Sequence, residues 1–222
     1  MVSCAGSRPV RLTLTLLLTA AAAASAARGA EVDLSVQRDG QRFHVEAVAS
    51  MRADARTAWA TLTDYAALPR FVPGIHRVDI ASRGPAPGGE HLVADFEGRF
   101  RLMFFVMPTR VRLDIRHLGA SEVQALSLPL PDRPGAPSAA LKDFVGTYHL
   151  HPGETAADGS ARVRLTYRAD MTLAQPLPPL VGPLVAGPAL RYVLRRQLLA
   201  MALEIERRAG AGRAASTGNA AR

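Results

Sequence analysis

The stretch PALRYVLRRQLLAMALEIERR, residues 188–208, reads as one long amphipathic helix. Leu190, Leu194, Leu198, Met201 and Ile205 recur at steps of four, four, three and four, which places them on one stripe of a 3.6-residue helix. A stripe of that kind needs an apolar partner surface. Pro188, with Gly187 before it, suits a helix start because a first-turn proline gives up no helical hydrogen bond, and Gly210 and Gly212 suit the stop. A rod of about twenty residues is ~30 Å long, enough to lie across roughly six strands of a sheet. A second, narrower row, Tyr192, Leu199 and Leu203, lies on the far side of the same helix. It reads either as ordinary exposed apolar surface or as a contact for a membrane or a partner.

Working outward, the preceding chain supplies strands. Val32, Leu34 and Val36 alternate with polar neighbours, and Phe43, Val45, Ala47, Ala49 and Met51 do the same beyond Asp39-Gly40, so this pair signals a β-hairpin. Asp54 sits where an N-cap belongs, before a short helix carrying Trp59 and Leu62. A second short helix is predicted over Tyr65 to Phe71, broken by Pro69 and stopped by Pro73-Gly74.

The middle of the chain yields to strand parity. Leu92, Ala94 and Phe96 face one way, as do Val111, Leu113, Ile115 and His117. With Met107-Pro108 and Gly119-Ala120 as two-residue turns, Phe104 falls opposite Val111 and Leu126 opposite Leu113. The same inward face then holds Phe100, Leu102, Phe104, Gln124, Leu126 and Leu128, while Met103, Phe105 and Met107 take the other. Pro129 to Ala140 contains four prolines and reads as a loop. Two strands follow, with Phe144, Gly146, Tyr148 and Leu150, then Val163, Leu165, Tyr167, Ala169 and Met171 inward. The segment Pro176 to Pro188 is too proline-rich for a regular element and leads into the long helix. An antiparallel sheet with one long helix across it is an α+β arrangement.

The ends have a different character. Residues 1–27 have the layout of a signal peptide: Arg8 and Arg11, an apolar run from Leu12 to Ala24, then small residues, with cleavage after Ala26 or Ala27. The run is short for a membrane span, so a periplasmic or secreted location is expected. Cys4, the single cysteine, falls inside this leader, which leaves the mature domain, residues 31–208, without thiol or disulfide chemistry. The small, polar residues 209–222 read as a disordered tail. The formal net charge is +8 with Lys142 the only lysine, and the arginines are spread along strands rather than clustered with aromatic residues, which argues against nucleic-acid binding.

The run AWATLTDY at 58–65, then LPRFVPG at 68–74, resembles the opening of START-like helix-grip proteins (the SRPBCC superfamily). That superfamily includes the polyketide cyclase/dehydrase and lipid-transport group and coenzyme-Q-binding relatives. The resemblance extends through Gly146-Thr147-Tyr148-His149-Leu150, Thr166-Tyr167, the Pro-rich Gln175 to Pro188 segment and Glu204 to Arg208. Tyr148 stands where many relatives have tryptophan, and Pro129 to Ala140 looks like an insertion. The resemblance implies a curved antiparallel sheet gripping the C-terminal helix, with two short helices after the first long strand.

A sheet curved around a helix can leave an apolar hollow suited to a small hydrophobic molecule. The expected lining comprises Phe96, Phe100, Leu102, Phe104 and Leu113 from the middle strands, together with Leu194, Leu198 and Met201 from the helix. His117, Gln124, Tyr148 and Tyr167 are its few polar members, either orienting a ligand or simply satisfied within the core. There is no Gly-x-Ser-x-Gly, Walker loop or His-Glu-x-x-His. His149 and His151 share a strand face, with His44 a conceivable third, but no carboxylate or cysteine completes a metal site, and a solvated face is the better reading. No metal or cofactor is expected.

Three functions stand in order. The first is an exported module that binds or transfers a lipid, quinone or polyketide-like molecule. The second is a cyclase or aromatase type of enzyme, as another branch of the resemblance implies, for which His117, Tyr148 and Tyr167 are the available acid–base groups. The third is a non-catalytic module that meets a membrane or protein through its outer apolar rows. No catalytic residue is assigned, and the sequence does not specify an oligomeric state.

Overall fold

The computed structural model describes residues 29–102, 105–131, 134–135, 139, 141–155, 159–174 and 182–220; the side chains of 100–102, 105, 107, 182–185 and 215–220 are not included. The calls on the leader, on Met103 and on Phe104 therefore lie outside the described residues. The chain runs β1 (Glu31–Asp39), β2 (Arg42–Met51), α1 (Ala55–Leu62), a 3-10 turn (Tyr65–Ala67) and α2 (Leu68–Phe71). It continues through β3 (Ile75–Ala86), β4 (Gly89–Leu102), β5 (Phe105–Leu118), β6 (Glu122–Leu128), β7 (Leu141–Pro152), β8 (Val163–Leu173) and α3 (Gly182–Ala220). All eight strands form one antiparallel sheet in the order β1-β2-β8-β7-β6-β5-β4-β3.

The local signals act as physics requires. Gly40, at φ +59°, turns the β1–β2 hairpin between Asp39 and Arg42. The Asp54 carboxylate accepts from the Thr57 N–H and hydroxyl, both at 2.8 Å, which caps α1 and lowers the Asp54 pKa. The carbonyl of Gly74 accepts from the N–H of Arg99 at 2.9 Å, and a Cβ on Gly98 would sit 2.0 Å from that carbonyl oxygen, so only glycine permits the approach.

Two turn expectations are corrected. Met107-Pro108 is not a turn but part of β5, because Met107 pairs with Phe100 and Pro108 with Arg99, and Phe96, not Phe104, lies opposite Val111. Phe105 and Met107 pair with Leu102 and Phe100, so they share the backbone parity of those residues instead of opposing it. The β5–β6 turn has three residues, Gly119 to Ser121, with Gly119 at φ +64° and Leu118 paired to Glu122. One extra residue reverses every side chain on β6. Val123 and Ala125 are buried on the inner face, while Gln124, Leu126 and Leu128 take the outer parity and Gln124 donates to Glu122 at 2.7 Å. The edge strand β3 was not anticipated, since its mostly exposed residues show no clean alternation.

The helix is longer than its amphipathic stretch. It begins at Gly182 with Pro183 in its first turn, holds Pro188 in its interior, and continues past Gly210 and Gly212 through the segment expected to be a disordered tail, to Ala220. Each interior glycine costs about 1 kcal/mol relative to alanine, but extending an anchored helix adds a hydrogen bond per residue without a new nucleation cost. The stripe itself is buried as expected: Leu190, Leu198, Met201 and Ile205 lie inside, joined by Ala202 and Ala209. It packs chiefly on β1, β2 and α1.

Polar contacts fix the helix in rotation. Glu206 accepts from the N–H of Arg52 at 2.9 Å, and Arg208 reaches Asp64 at 3.0 Å while stacking over Phe71. Glu204 binds Arg207 and Arg208, and the Arg207 hydrogen bond foremost holds its carboxyl down to about 2. On the outer face, Arg110 donates to the carbonyl of Pro131 at 3.3 Å and its backbone bridges Ala139, so these two residues lie against β5.

The stripe predicts a contrast along α3. Ile205→Ala should lower unfolding stability in urea by about 2–5 kcal/mol, whereas Leu203→Ala, half-exposed on the opposite row, should stay within about 0.5 kcal/mol. Equal effects would mean that the other row carries the packing.

Candidate functional site

The inner face of the sheet is not uniformly sealed. On β4, Leu92 and Ala94 are 0% exposed, yet Phe96 on the same parity is only half-buried. On β5 the change comes between buried Ile115 and half-buried Leu113, and on β7 between buried Leu150 and half-buried Tyr148 and Phe144. Leu194, facing them from α3, is likewise half-buried. Inward apolar side chains that remain accessible must border unfilled space.

That space is a chamber with two lobes between α3 and the sheet. One, of about 200 Å³, lies beside α1 and α2 against Leu62, Tyr65, Leu68, Val72 and Ile75. The other, of about 280 Å³, lies beneath the start of α3 against Phe43, Thr109, Val111, Ala189 and Leu190. Phe96, Leu113, Phe144, Tyr148, Tyr167 and Leu194 border both, as does Gln197. Gly146 contributes by having no side chain: a Cβ there would meet the Phe144 ring at 2.5 Å. A larger hollow of about 510 Å³ lies on the outer face, but Asp33, Glu46, Glu122, His149, His151 and Arg168 make it a charged, open surface. The inner chamber has the apolar walls that small hydrophobic ligands require.

Of the expected ligand residues, the structure brings Phe96, Leu113, Tyr148, Tyr167, Leu194, Leu198 and Met201 together around this chamber. Phe100 and Leu102 belong to β4, with their side chains outside the description. Gln124 does not contribute, for the register reason given above. His117 lies one layer behind the wall: it is 5% exposed and its Nε2 bonds the Tyr65 hydroxyl at 2.8 Å. The lining also includes residues outside the expected set, among them the polar Gln197 and Tyr65. Gln197 sits seven residues after Leu190 and one before Leu198, so helical spacing alone could have put it at the chamber; its amide donates to the carbonyl of Pro73 at 3.0 Å. Tyr65 carried no such signal, because its partner lies 52 residues away.

The polar groups form two sets. Glu90 Oε2 lies 3.3 Å from His117 Nδ1, and Glu90 also pairs with Arg83 at 3.2 Å, so a chain runs Arg83, Glu90, His117, Tyr65 from the surface to the lobe beside α1. Trp59 meets His117 edge-on at 5.3 Å. The second set is Tyr148 and Tyr167, whose rings stack at 4.5 Å. Burial pushes the Tyr148 phenol up to about 12 and raises Tyr65 and Tyr167 as well, with Tyr148 adding to both. Burial also lowers His117, against the pull of Glu90. All four groups are therefore neutral near pH 7.

Among the described residues no three metal-ligating side chains cluster, and no helix is long and apolar enough to cross a membrane. His149 and His151 face each other at 4.0 Å on the outer surface, while His44 pairs with Asp170.

A family model described as polyketide cyclase/dehydrase and lipid transport matches residues 42–206. No curated protein matches the sequence. The fold is similar to that of the di-domain ARO/CYC StfQ from the steffimycin biosynthetic pathway, with a TM-score of 0.54 at 16% identity over 79% of this chain. The match takes in 52% of StfQ, so the chain spans about half the length of that protein. It is also similar to a START superfamily protein from Mycobacterium smegmatis, with a TM-score of 0.53 at 14% identity over 75% of this chain and 97% of the other. The Zhui aromatase/cyclase from Streptomyces sp. R1128 aligns with a TM-score of 0.50 at 18% identity, over 75% and 95%. At these identities the likeness is one of fold.

The environment of His117 has a measurable consequence. In an NMR titration its ring should protonate below the ordinary value of 6.5, and the neutral ring should carry its proton on Nδ1, facing Glu90. As pH falls below 6.5 the unfolded chain takes up this proton before the folded one, so the residue's contribution to stability is full above 6.5 and is lost as pH drops beneath it. A midpoint at or above 6.5 would contradict the burial.

Proposed function

The chain belongs to the polyketide cyclase/dehydrase and lipid transport family, within the START-like helix-grip superfamily, and from that premise we propose that it binds and transfers an apolar small molecule. A lipid, a quinone or a polyketide-like compound fits this reading, held in the chamber between α3 and the sheet. The observation that carries it is the break in burial along β4, β5 and β7, where Phe96, Leu113 and Tyr148 remain accessible although they point into the molecule. A carrier needs such a space and few polar groups to orient its cargo.

A second reading, a cyclase or aromatase type of enzyme using the same chamber, draws support from the Glu90–His117–Tyr65 chain, which has the order of groups used in acid–base catalysis. The two readings differ in what becomes of the molecule. A carrier releases it unchanged, and an enzyme releases it altered.

Solvent extraction of the purified protein, followed by mass spectrometry, should recover a near-equimolar apolar compound. Leu198→Trp, which fills the chamber, should lose the compound and keep the circular dichroism spectrum of the fold. A wild-type protein that is repeatedly empty, or equal recovery from Leu198→Trp, would overturn the carrier reading. Recovery of a chemically altered compound after incubation would favour the enzyme.

The reading includes export, with residues 1–27 as the leader. N-terminal sequencing of the mature protein should begin at Ala27 or Arg28, and a mature chain starting at Met1 would contradict it.

A further inference from the structure

Three tyrosines border the chamber, and their hydroxyls are not equivalent. Tyr65 is 6% exposed and its hydroxyl is engaged with His117 Nε2 at 2.8 Å. The direction of that bond is biased from outside the chamber. The Glu90 carboxylate, 3.3 Å from His117 Nδ1, can only accept, which favours the neutral tautomer with its proton on Nδ1 and Nε2 as an acceptor. In that tautomer Tyr65 is the donor to His117. Its proton is committed, and its oxygen can offer only lone pairs to a ligand.

Tyr148 and Tyr167 stand the other way. Neither hydroxyl has a hydrogen-bond partner among the described residues, although Tyr167 is only 4% exposed, and neither oxygen is sealed among protein atoms. Both rings line both lobes of the chamber, and Tyr148 is near enough to Tyr65 to help raise its pKa. A neutral phenol left without a partner in an apolar space has an O–H to donate.

We propose that the chamber reads a ligand by a fixed polarity pattern, with Tyr65 accepting a hydrogen bond from a ligand hydroxyl and Tyr148 and Tyr167 donating to a ligand carbonyl. Glu90 and His117 are positioning residues, which set the sense of the Tyr65 contact without touching the ligand. The preferred ligand is an apolar molecule that carries a hydroxyl donor and a carbonyl acceptor along one edge. This rests on the chamber being the binding site, as proposed above.

Three probes of one skeleton test the pattern: naphthalene, 2-naphthol and 2-acetylnaphthalene, each titrated against the full chain by tryptophan fluorescence or calorimetry. Binding of naphthalene reports the chamber alone. The hydroxyl and the acetyl group should each improve affinity roughly three- to tenfold over naphthalene, as net hydrogen bonds in an apolar site do. Tyr65→Phe should erase the advantage of 2-naphthol and leave that of 2-acetylnaphthalene, and Tyr148→Phe combined with Tyr167→Phe should do the reverse. Glu90→Leu, outside the chamber, should also cut the advantage of 2-naphthol, because the ring is then free to turn its proton toward Tyr65. A merely structural role for Glu90 would instead weaken all three probes alike.

Equal affinity for the three probes, or variants that weaken them uniformly, would overturn the pattern while leaving the chamber as a binding site. Failure of all three to bind would remove the chamber reading, and the pattern with it.

Discussion

Everything in this structure depends on where one apolar stripe finds its cover. Helix α3 packs on β1, β2 and α1, with its Ala202 and Ile205 fully excluded from solvent. Burying each large side chain of that stripe contributes about 1.5–3 kcal/mol, and the contacts of Glu206 with Arg52 and of Arg208 with Asp64 fix its rotation. The strands from β4 to β8 curve across the same helix, but there its facing residues, Leu194 and Gln197, meet a gap rather than a wall. The stripe is thus buried at both ends, at Leu190 and from Met201 to Ala209, and stands off from the sheet between them, at Leu194 and Gln197. The chamber lies beneath that break in the packing.

An empty apolar volume is costly to maintain, since its lining forgoes dispersion contacts that a packed core would make. Ring-shaped side chains border it, notably the stacked pair Tyr148 and Tyr167 and the Phe144 ring over Gly146. The hydroxyls that these tyrosines bring would be a liability in a solid core. In a chamber that takes a ligand they become its means of recognition.

Much of this was legible in the sequence where one short-range pattern decided the outcome. The steps of Leu190, Leu194, Leu198, Met201 and Ile205 gave the stripe, Asp39-Gly40 the first hairpin, and the parities of β7 and β8 placed Tyr148 and Tyr167 at the chamber. What depended on turn length was not legible. Gly119-Ala120 reads equally well as two residues or as part of three, and the third, Ser121, turned Gln124 from a candidate ligand contact into an outer-face partner of Glu122. Nor can spacing show a pair such as Tyr65 and His117, brought together only when β5 and the segment after α1 meet across the end of the sheet. The ends of α3 were missed for a third reason: propensity marks glycine and proline as stops, whereas a helix already anchored by packing runs through them.

The central claim is that α3 and the sheet enclose unfilled apolar space. Pressurising crystals of the protein with xenon tests it directly, since xenon enters dry apolar cavities large enough to hold it and ignores packed cores. Xenon density among Phe96, Tyr148 and Leu194 is the expected result. Density confined to the outer surface, with those three side chains in mutual contact and no void between them, would contradict it.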